Sequence, residues 1–519
     1  MKKQAFFKRS LPLLLAVLFC LSASGCWQDN ADPGDLSDLT VSSAEEPEVP
    51  AVSLPEEFAL PYLPDQSLDP ISCPDGIQQT VCALLYEGLF ELDTQLQPQN
   101  RLCTSSAYDA AALTWTLQLC SGVSFSDGTP LTGEDAAKSL QRAMTSDRYR
   151  SRLSGIQSVS ASGNTVVILL SAPNSQLPAL LDIPIVKAGS ETAACPIGTG
   201  PYALSYREDH SLFLTKNSHW WGGSGQPVEE ISLVKCDSND AGRYQFTSHA
   251  VQLITNDLTG VSPLSATGNF EFYDADTTIL QYIGFNIHHS IFSNAAARSA
   301  VGLGIDRATV VSAYLSGHAL AAQFPISPVS PEYPSELEQT YSSAAFETAM
   351  TDAGLNTGAT RKVTLLVNSD NSFKVSIARY LASVLSVYDL QVEVNALPWE
   401  EYCAALASGR FDLYYGETRL TADWNLTSLL GSTGSLNYGH YADPMTDQLL
   451  LNFSAATDRA SSAKVLCSYL RQQSPILPIC FKRISVLTQE HVFERLSPTA
   501  TNPFYQLSNC TIHLSDAAS

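Results

Sequence analysis

Positive charge is scarce in this sequence, and charge of any sign is sparse. Its 519 residues hold 29 Lys+Arg against 52 Asp+Glu, charged residues make up 16% of the chain, and the formal net charge is −23. Binding a phosphate backbone needs clustered bases that release counterions, so nucleic acid is excluded as the main partner. A cationic or zwitterionic small ligand is easier to accommodate. Several catalytic signatures are missing as well. There is no GxSxG, no HExxH and no CxxC, and Gly198-Thr199-Gly200 is followed by neither GKS/T nor the GxGxxG spacing. A secreted hydrolase, a zinc cluster and a phosphate cradle therefore all lack their motifs. The chain is not read as an enzyme, and neither cofactor nor metal is expected. Heptads, repeats and, beyond residue 58, long Gly/Ser linkers are absent too. What remains is a 45% hydrophobic chain, the share of a packed globular protein, long enough for two to four lobes.

The N-terminus carries export signals. Lys2, Lys3, Lys8 and Arg9 precede an apolar stretch, Leu11 to Leu21, that is short for a bilayer span of about 30 Å. Leu21-Ser22-Ala23-Ser24-Gly25-Cys26 follows, and it resembles the lipobox of bacterial lipoproteins. That resemblance implies a signal peptide over 1–25 and a diacylated Cys26, which two acyl chains would hold firmly at the outer face of the cell membrane. Residues 27–57 hold nine acids, no Lys or Arg and four prolines, a composition that reads, with Cys26, as a disordered tether over 26–57.

Setting aside Cys20 and Cys26 leaves ten of the 12 cysteines, at 73, 82, 103, 120, 195, 236, 403, 467, 480 and 510. An even number in an exported chain permits disulfides without demanding them. One pairing has a local argument: Cys103 and Cys120 are equidistant from the Ala111/Ala112 midpoint of a hairpin, which sets them opposite each other.

Strand and helix patterns alternate along the rest. Thr114 to Leu119 alternates like a half-buried strand, and Val166 to Leu170 and Val363 to Val367 read as buried strands. Thr132 caps a helix running to about Met144, with Asp135 closing a capping box. Helical spacing from Phe373 to Val387, between strands, predicts a parallel α/β lobe.

Seven stretches then coincide in one order. They include Tyr86-Glu87-Gly88-Leu89-Phe90, Phe125-Ser126-Asp127-Gly128-Thr129-Pro130, Pro196 to Tyr202, Gly284-Phe285-Asn286, Ile305-Asp306-Arg307, Ala422-Asp423-Trp424, and Tyr441-Ala442-Asp443-Pro444. Together they resemble the oligopeptide, dipeptide and nickel type of extracellular solute-binding proteins (solute-binding protein family 5) of ABC importers, over residues 60 to 490. The resemblance implies an α/β, periplasmic-binding-protein-like (type II) two-lobed clamp with a small inserted α+β domain. Its layout would be lobe I from 58–89, 189–277 and 487–519, the insert at 90–188, and lobe II at 278–486, with hinge crossings near Gly284 and near Pro478 to Val486. It also implies capture of a short peptide or other small solute between lobes, delivery to ABC permease subunits, and a monomer. A sensor built on the same clamp, or a nickel-chelate or oligosaccharide binder, is the alternative.

In peptide-binding members, the aspartate of the Ala-Asp-aromatic stretch pairs with the ligand's amino group, a role the resemblance transfers to Asp423. A plain capping role, for a helix starting near Asn425, is the other reading. Leu420 replaces the tryptophan common three places earlier, and Glu417 stands where some members have arginine, with Arg419 nearby. An extra acid there favours a more cationic ligand. Trp399, Tyr402, Tyr414, Tyr415 and Trp424 are the aromatic candidates, because flat rings give contact area at low entropy cost. Trp220 and Trp221 read as core, and His288-His289 as solvated near the hinge.

Overall fold

The computed structural model describes residues 54–264, 268–288 and 291–515. The signal peptide, Cys26, the tether up to residue 53, and His289 lie outside them.

Apolar side chains gather into separate cores. One joins residues 58–86, 186–253 and 486–512 around Phe58, Leu60, Tyr202, Leu214 and Phe504. Its sheet sets Ala59–Tyr62 parallel to Glu230–Lys235, followed by antiparallel Leu212–Lys216 and Tyr202–Tyr206. A second core lies within residues 71–185. There the helix Gly133–Thr145 packs on an antiparallel sheet in the order Cys103–Asp109, Thr114–Leu119, Thr165–Leu170, Ile156–Ser162. Thr132 and Asp135 form the capping box at that helix. The alternating strand pattern is realised residue for residue, with Trp115, Leu117 and Leu119 turned inward.

A third core occupies both faces of a seven-stranded sheet, built from residues 280–481 with Leu96 packed into one face. Arg361–Asn368 pairs in parallel with Leu390–Leu397, and the helix Ser372–Leu385 crosses between them under an Asn371 cap that accepts from the Lys374 N–H. This is the parallel α/β unit expected from the helix and strand spacing. Leu413–Arg419 joins on the other side, also parallel. Two long strands, Phe270–Phe285 and Ile476–Gln489, run antiparallel side by side through the whole body. Their outer ends serve the first core and their inner ends the third, with register shifts between Asp276 and Leu280 and between Gln281 and Tyr282.

One local expectation is overturned. Cys103 does not face Cys120: a bulge at Thr104 slips the hairpin register by one, so Cys103 pairs with Leu119 and both thiols stay free. Each donates instead to a backbone carbonyl, Cys103 to Ser105 and Cys120 to Arg101. The Gly198 to Gly200 passage is a close approach: a Cβ on Gly198 would come within 2.1 Å of the Leu85 carbonyl oxygen.

Candidate functional site

Most of the candidate residues lie on one strand and the loop after it, with Trp399 and Tyr402 on the helix Trp399–Ala407, and they divide by depth. Tyr414 and Tyr415 open the strand Leu413–Arg419 and are buried in opposite faces of the sheet. Tyr414 stacks edge-on against Tyr282, while the Tyr415 hydroxyl donates to Gln281 Oε1 at 2.7 Å. Tyr402 is also buried, its hydroxyl donating to the Tyr415 carbonyl. Trp424 lies within the core edge-on to Phe481, donates its indole N–H to Ser330, and holds a left-handed backbone at φ 53°. Such a conformation is costly for a bulky residue and persists only where packing enforces it. Trp399 alone among the aromatic candidates stands out, 56% exposed and stacked on Tyr402.

The charged candidates lie at the meeting of the cores. Glu417 is 25% exposed at its side chain, faces Lys374 at 3.1 Å and Lys482 at 3.6 Å, and accepts from Gln281 Nε2 at 2.8 Å. Burial raises its pKa, but the two ammonium groups more than offset that and hold it below the ordinary value. Lys482, 2% exposed on the long strand Ile476–Gln489, also pairs with Asp257, which follows the strand Leu253–Asn256 of the opposite side. Alternation along the sequence does not reveal Lys482, because nearly the whole strand is buried, polar and apolar residues alike.

Arg419 is exposed and, among the described residues, makes no ion pair or hydrogen bond through its guanidinium. Burial by the surrounding protein still depresses its pKa, against the opposing pull of Asp75, Glu417 and Asp257. Asp75 is itself engaged by Arg148. Three carboxylates, Asp75, Asp257 and Glu417, thus meet four cations, Arg148, Lys374, Lys482 and Arg419. The extra acid at Glu417 is neutralised by its own neighbours, so it does not bias the site toward a cationic ligand. The surplus is one positive charge.

Asp423 is 5% exposed. Its Oδ2 accepts from Asn174 Nδ2 at 2.8 Å across from the second core, and its Oδ1 accepts from the Thr421 hydroxyl and, at 3.2 Å, from the Asn425 N–H. The last bond closes a turn; the short helix that follows, Thr427–Leu430, has Leu426 at its N-cap position with no side-chain cap, and Asn425 Oδ1 accepts the Thr427 N–H at 3.0 Å. Asn371 Nδ2 bridges the third core to the first through the Thr259 carbonyl at 2.9 Å. A cavity of about 230 Å³ beside Asp257 is lined by Gly76, Thr80, Asn239 and Asn256. A second, of about 280 Å³, is lined by Arg307, Phe324, Glu338 and Arg471 and holds none of the candidates.

The other sequence readings fall as follows. Trp220 is buried and Trp221 reaches the surface, and both indoles donate to the buried Glu87 carboxylate, which Arg101 also pairs. His288 is exposed, and its ring packs against His440. Among the described residues no cluster of three or more His, Cys, Asp or Glu could hold a metal ion, and no helix is long and apolar enough to cross a membrane.

Comparison with known proteins defines the class. Residues 97–438 match the family described as bacterial extracellular solute-binding proteins, family 5. The chain belongs to that family, whose members bind peptides or other small solutes and work with ABC permeases. It is 23% identical over 448 residues to the glutathione-binding protein GsiB of Escherichia coli K12, covering 80% of this chain and 87% of that protein. GsiB of Pectobacterium atrosepticum is 25% identical over 422 residues, covering 76% and 82%. Among solved structures, the unliganded open form of the periplasmic murein tripeptide-binding protein MppA superposes with a TM-score of 0.72 at 20% identity, over 89% of this chain and 98% of that one. A nickel ABC transporter protein of Bacillus halodurans gives 0.72 at 20%, over 86% and 98%. The fold is accordingly the type II periplasmic-binding-protein-like clamp, and the relatives are binding proteins, not enzymes.

Proposed function

We propose that this protein captures a short peptide, or a similarly sized solute with a free amino group, between two lobes and delivers it to an ABC permease. The lobes are those of the family layout: 58–89, 189–277 and 487–519 as lobe I, 90–188 as the insert, and 278–486 as lobe II. One observation carries the reading, the charge cluster where all three cores meet, with a single unpaired arginine. A zwitterion suits it. Arg419 would take a carboxylate, and Asp423 would take an ammonium in place of the Asn174 amide that now fills its Oδ2. A charge-assisted contact of this kind is worth about 1.5 to 3 kcal/mol. Trp399 offers an exposed ring at the rim, while Tyr402, Tyr414, Tyr415 and Trp424 form the packed floor that fixes the strand and its loop. Relatives named for glutathione and for a murein tripeptide support a peptide-like ligand.

The anchor belongs to the same proposal: Cys26 carries the lipid, the acidic tether follows, and the clamp works as a monomer on the outer face of the membrane. Replacing Cys26 by serine should release the protein from membranes and abolish labelling by a fatty-acid probe. For the ligand, thermal-shift screening with short-peptide pools, glutathione, nickel–histidine and an oligosaccharide should give a shift with the peptides. A shift confined to the nickel chelate or the sugar overturns the peptide assignment.

A further inference from the structure

Ten cysteines lie in the described residues, all as free thiols, and two of them touch. Cys73 Sγ and Cys82 Sγ are 3.7 Å apart, in van der Waals contact, and the two residues are 2% and 3% exposed. No other pair of cysteine sulfurs lies this close among the described residues. Cys82 belongs to the helix Ile77–Leu85, whereas Cys73 is on the loop before it, between the exposed Ser72 and Asp75. A disulfide needs about 2.05 Å between sulfurs, so closure requires only a small side-chain rotation on the loop side.

We propose that Cys73 and Cys82 are a disulfide pair, formed on the extracytoplasmic side where this family works and where such bonds persist. The two thiols have distinct roles. Cys73 accepts the Gln79 side-chain N–H at 2.8 Å and has Arg148 beside it. The Cys82 hydrogen bond lowers the Cys73 pKa first, burial opposes it, and Arg148 lowers it further, while burial pushes Cys82 up. Cys73 is therefore the attacking thiolate and Cys82 the resolving thiol. The oxidant is a disulfide-bearing oxidoreductase or a small-molecule disulfide. Cys73 attacks one oxidant sulfur, forming a mixed disulfide and expelling one thiolate. Cys82 then loses its proton and attacks Cys73 Sγ, releasing the second thiolate. Two protein thiols lose two electrons, and the oxidant's two sulfurs leave as thiols bearing the two protons.

The bond would fasten a loop that matters to the junction. Arg148 of the insert pairs with Asp75 and donates to the Cys73 carbonyl, so this loop joins lobe I to the insert. Asp75 is also one of the acids facing Arg419.

The test uses the full chain, purified reduced and then incubated with oxidised glutathione, denatured, alkylated and mapped by peptide mass spectrometry. No Lys or Arg separates the two cysteines, so one tryptic peptide carries both. That peptide ends at Arg101 and reaches back through Cys26, so its fragment spectra should place a loss of two hydrogens, and no alkyl group, on Cys73 and Cys82, while the other eight thiols of the folded body alkylate. Cys73→Ser and Cys82→Ser should each abolish the mass loss. The proposal is overturned if both residues alkylate fully while other thiols oxidise, if Cys73 stops at the glutathione adduct, or if another pair links first. The unsubstituted chain suffices for this measurement, so a variant that fails to fold leaves it decisive. A protein that binds no peptide would still give either answer.

Discussion

At Arg419 a guanidinium stands without a carboxylate while its three cationic neighbours each have one. Replacing Arg419 by glutamine should weaken binding of a free-acid peptide by about tenfold or more and leave the same peptide's C-terminal amide nearly unaffected, as read by calorimetry. Equal losses for both ligands would remove the carboxylate role. Asp423→Asn should cost an amine-bearing ligand about tenfold, with N-acetylated ligand insensitive to the change. Asp423 was visible in the sequence because its Ala-Asp-aromatic setting is local. The neutralisation of Glu417 was not, since Lys374 and Lys482 come from a helix and a strand far away in the chain. The aromatic candidates show the same limit from the other side. A ring at a binding site and a ring in a core obey one chemistry, and only depth separates Trp399 from Tyr414.

At the scale of elements, period and capping were legible and register was not. The helix Gly133–Thr145 and the strand Thr114–Leu119 follow from neighbours a few residues apart. A single bulge at Thr104 was enough to part Cys103 from Cys120. Close backbone passage can be tested directly: Gly198→Ala forces a methyl into the Leu85 carbonyl and should destabilise the protein by about 1 to 3 kcal/mol, seen as a lower midpoint in urea. The turn ahead of the capped helix sets an acid limit. Burial alone would raise the Asp127 pKa, but hydrogen bonds from Lys187 and Thr129 outweigh it and bring it down to about 2. A depressed folded value means the stabilisation is complete above the unfolded pKa near 4 and is lost as pH falls toward 2. Asp127 is about one-third exposed, so screening trims the effect to about 1 kcal/mol. Asp127→Asn should flatten that part of the acid-unfolding curve.

For the whole molecule, the ion pair between Lys482 and Asp257 spans the junction and should favour the closed clamp. Lys482→Met removes it and leaves Asp257 partly exposed without its cation, a loss of about 1 to 3 kcal/mol. Small-angle scattering without ligand should then give a larger radius of gyration than the parent chain, and saturating ligand should restore the parent value. An unchanged radius would show that this pair does not bias closure. In the proposed layout the two crossings between the lobes are not independent tethers. Phe270–Phe285 and Ile476–Gln489 are hydrogen-bonded to each other along most of their length, and the ladder slips only at its centre. A two-stranded ribbon resists stretching and sideways shear far more than it resists bending and twisting. In the proposed clamp the lobes would therefore move by bending and twisting this ribbon, and a longer ligand would be admitted by a wider angle rather than by sliding one lobe along the other.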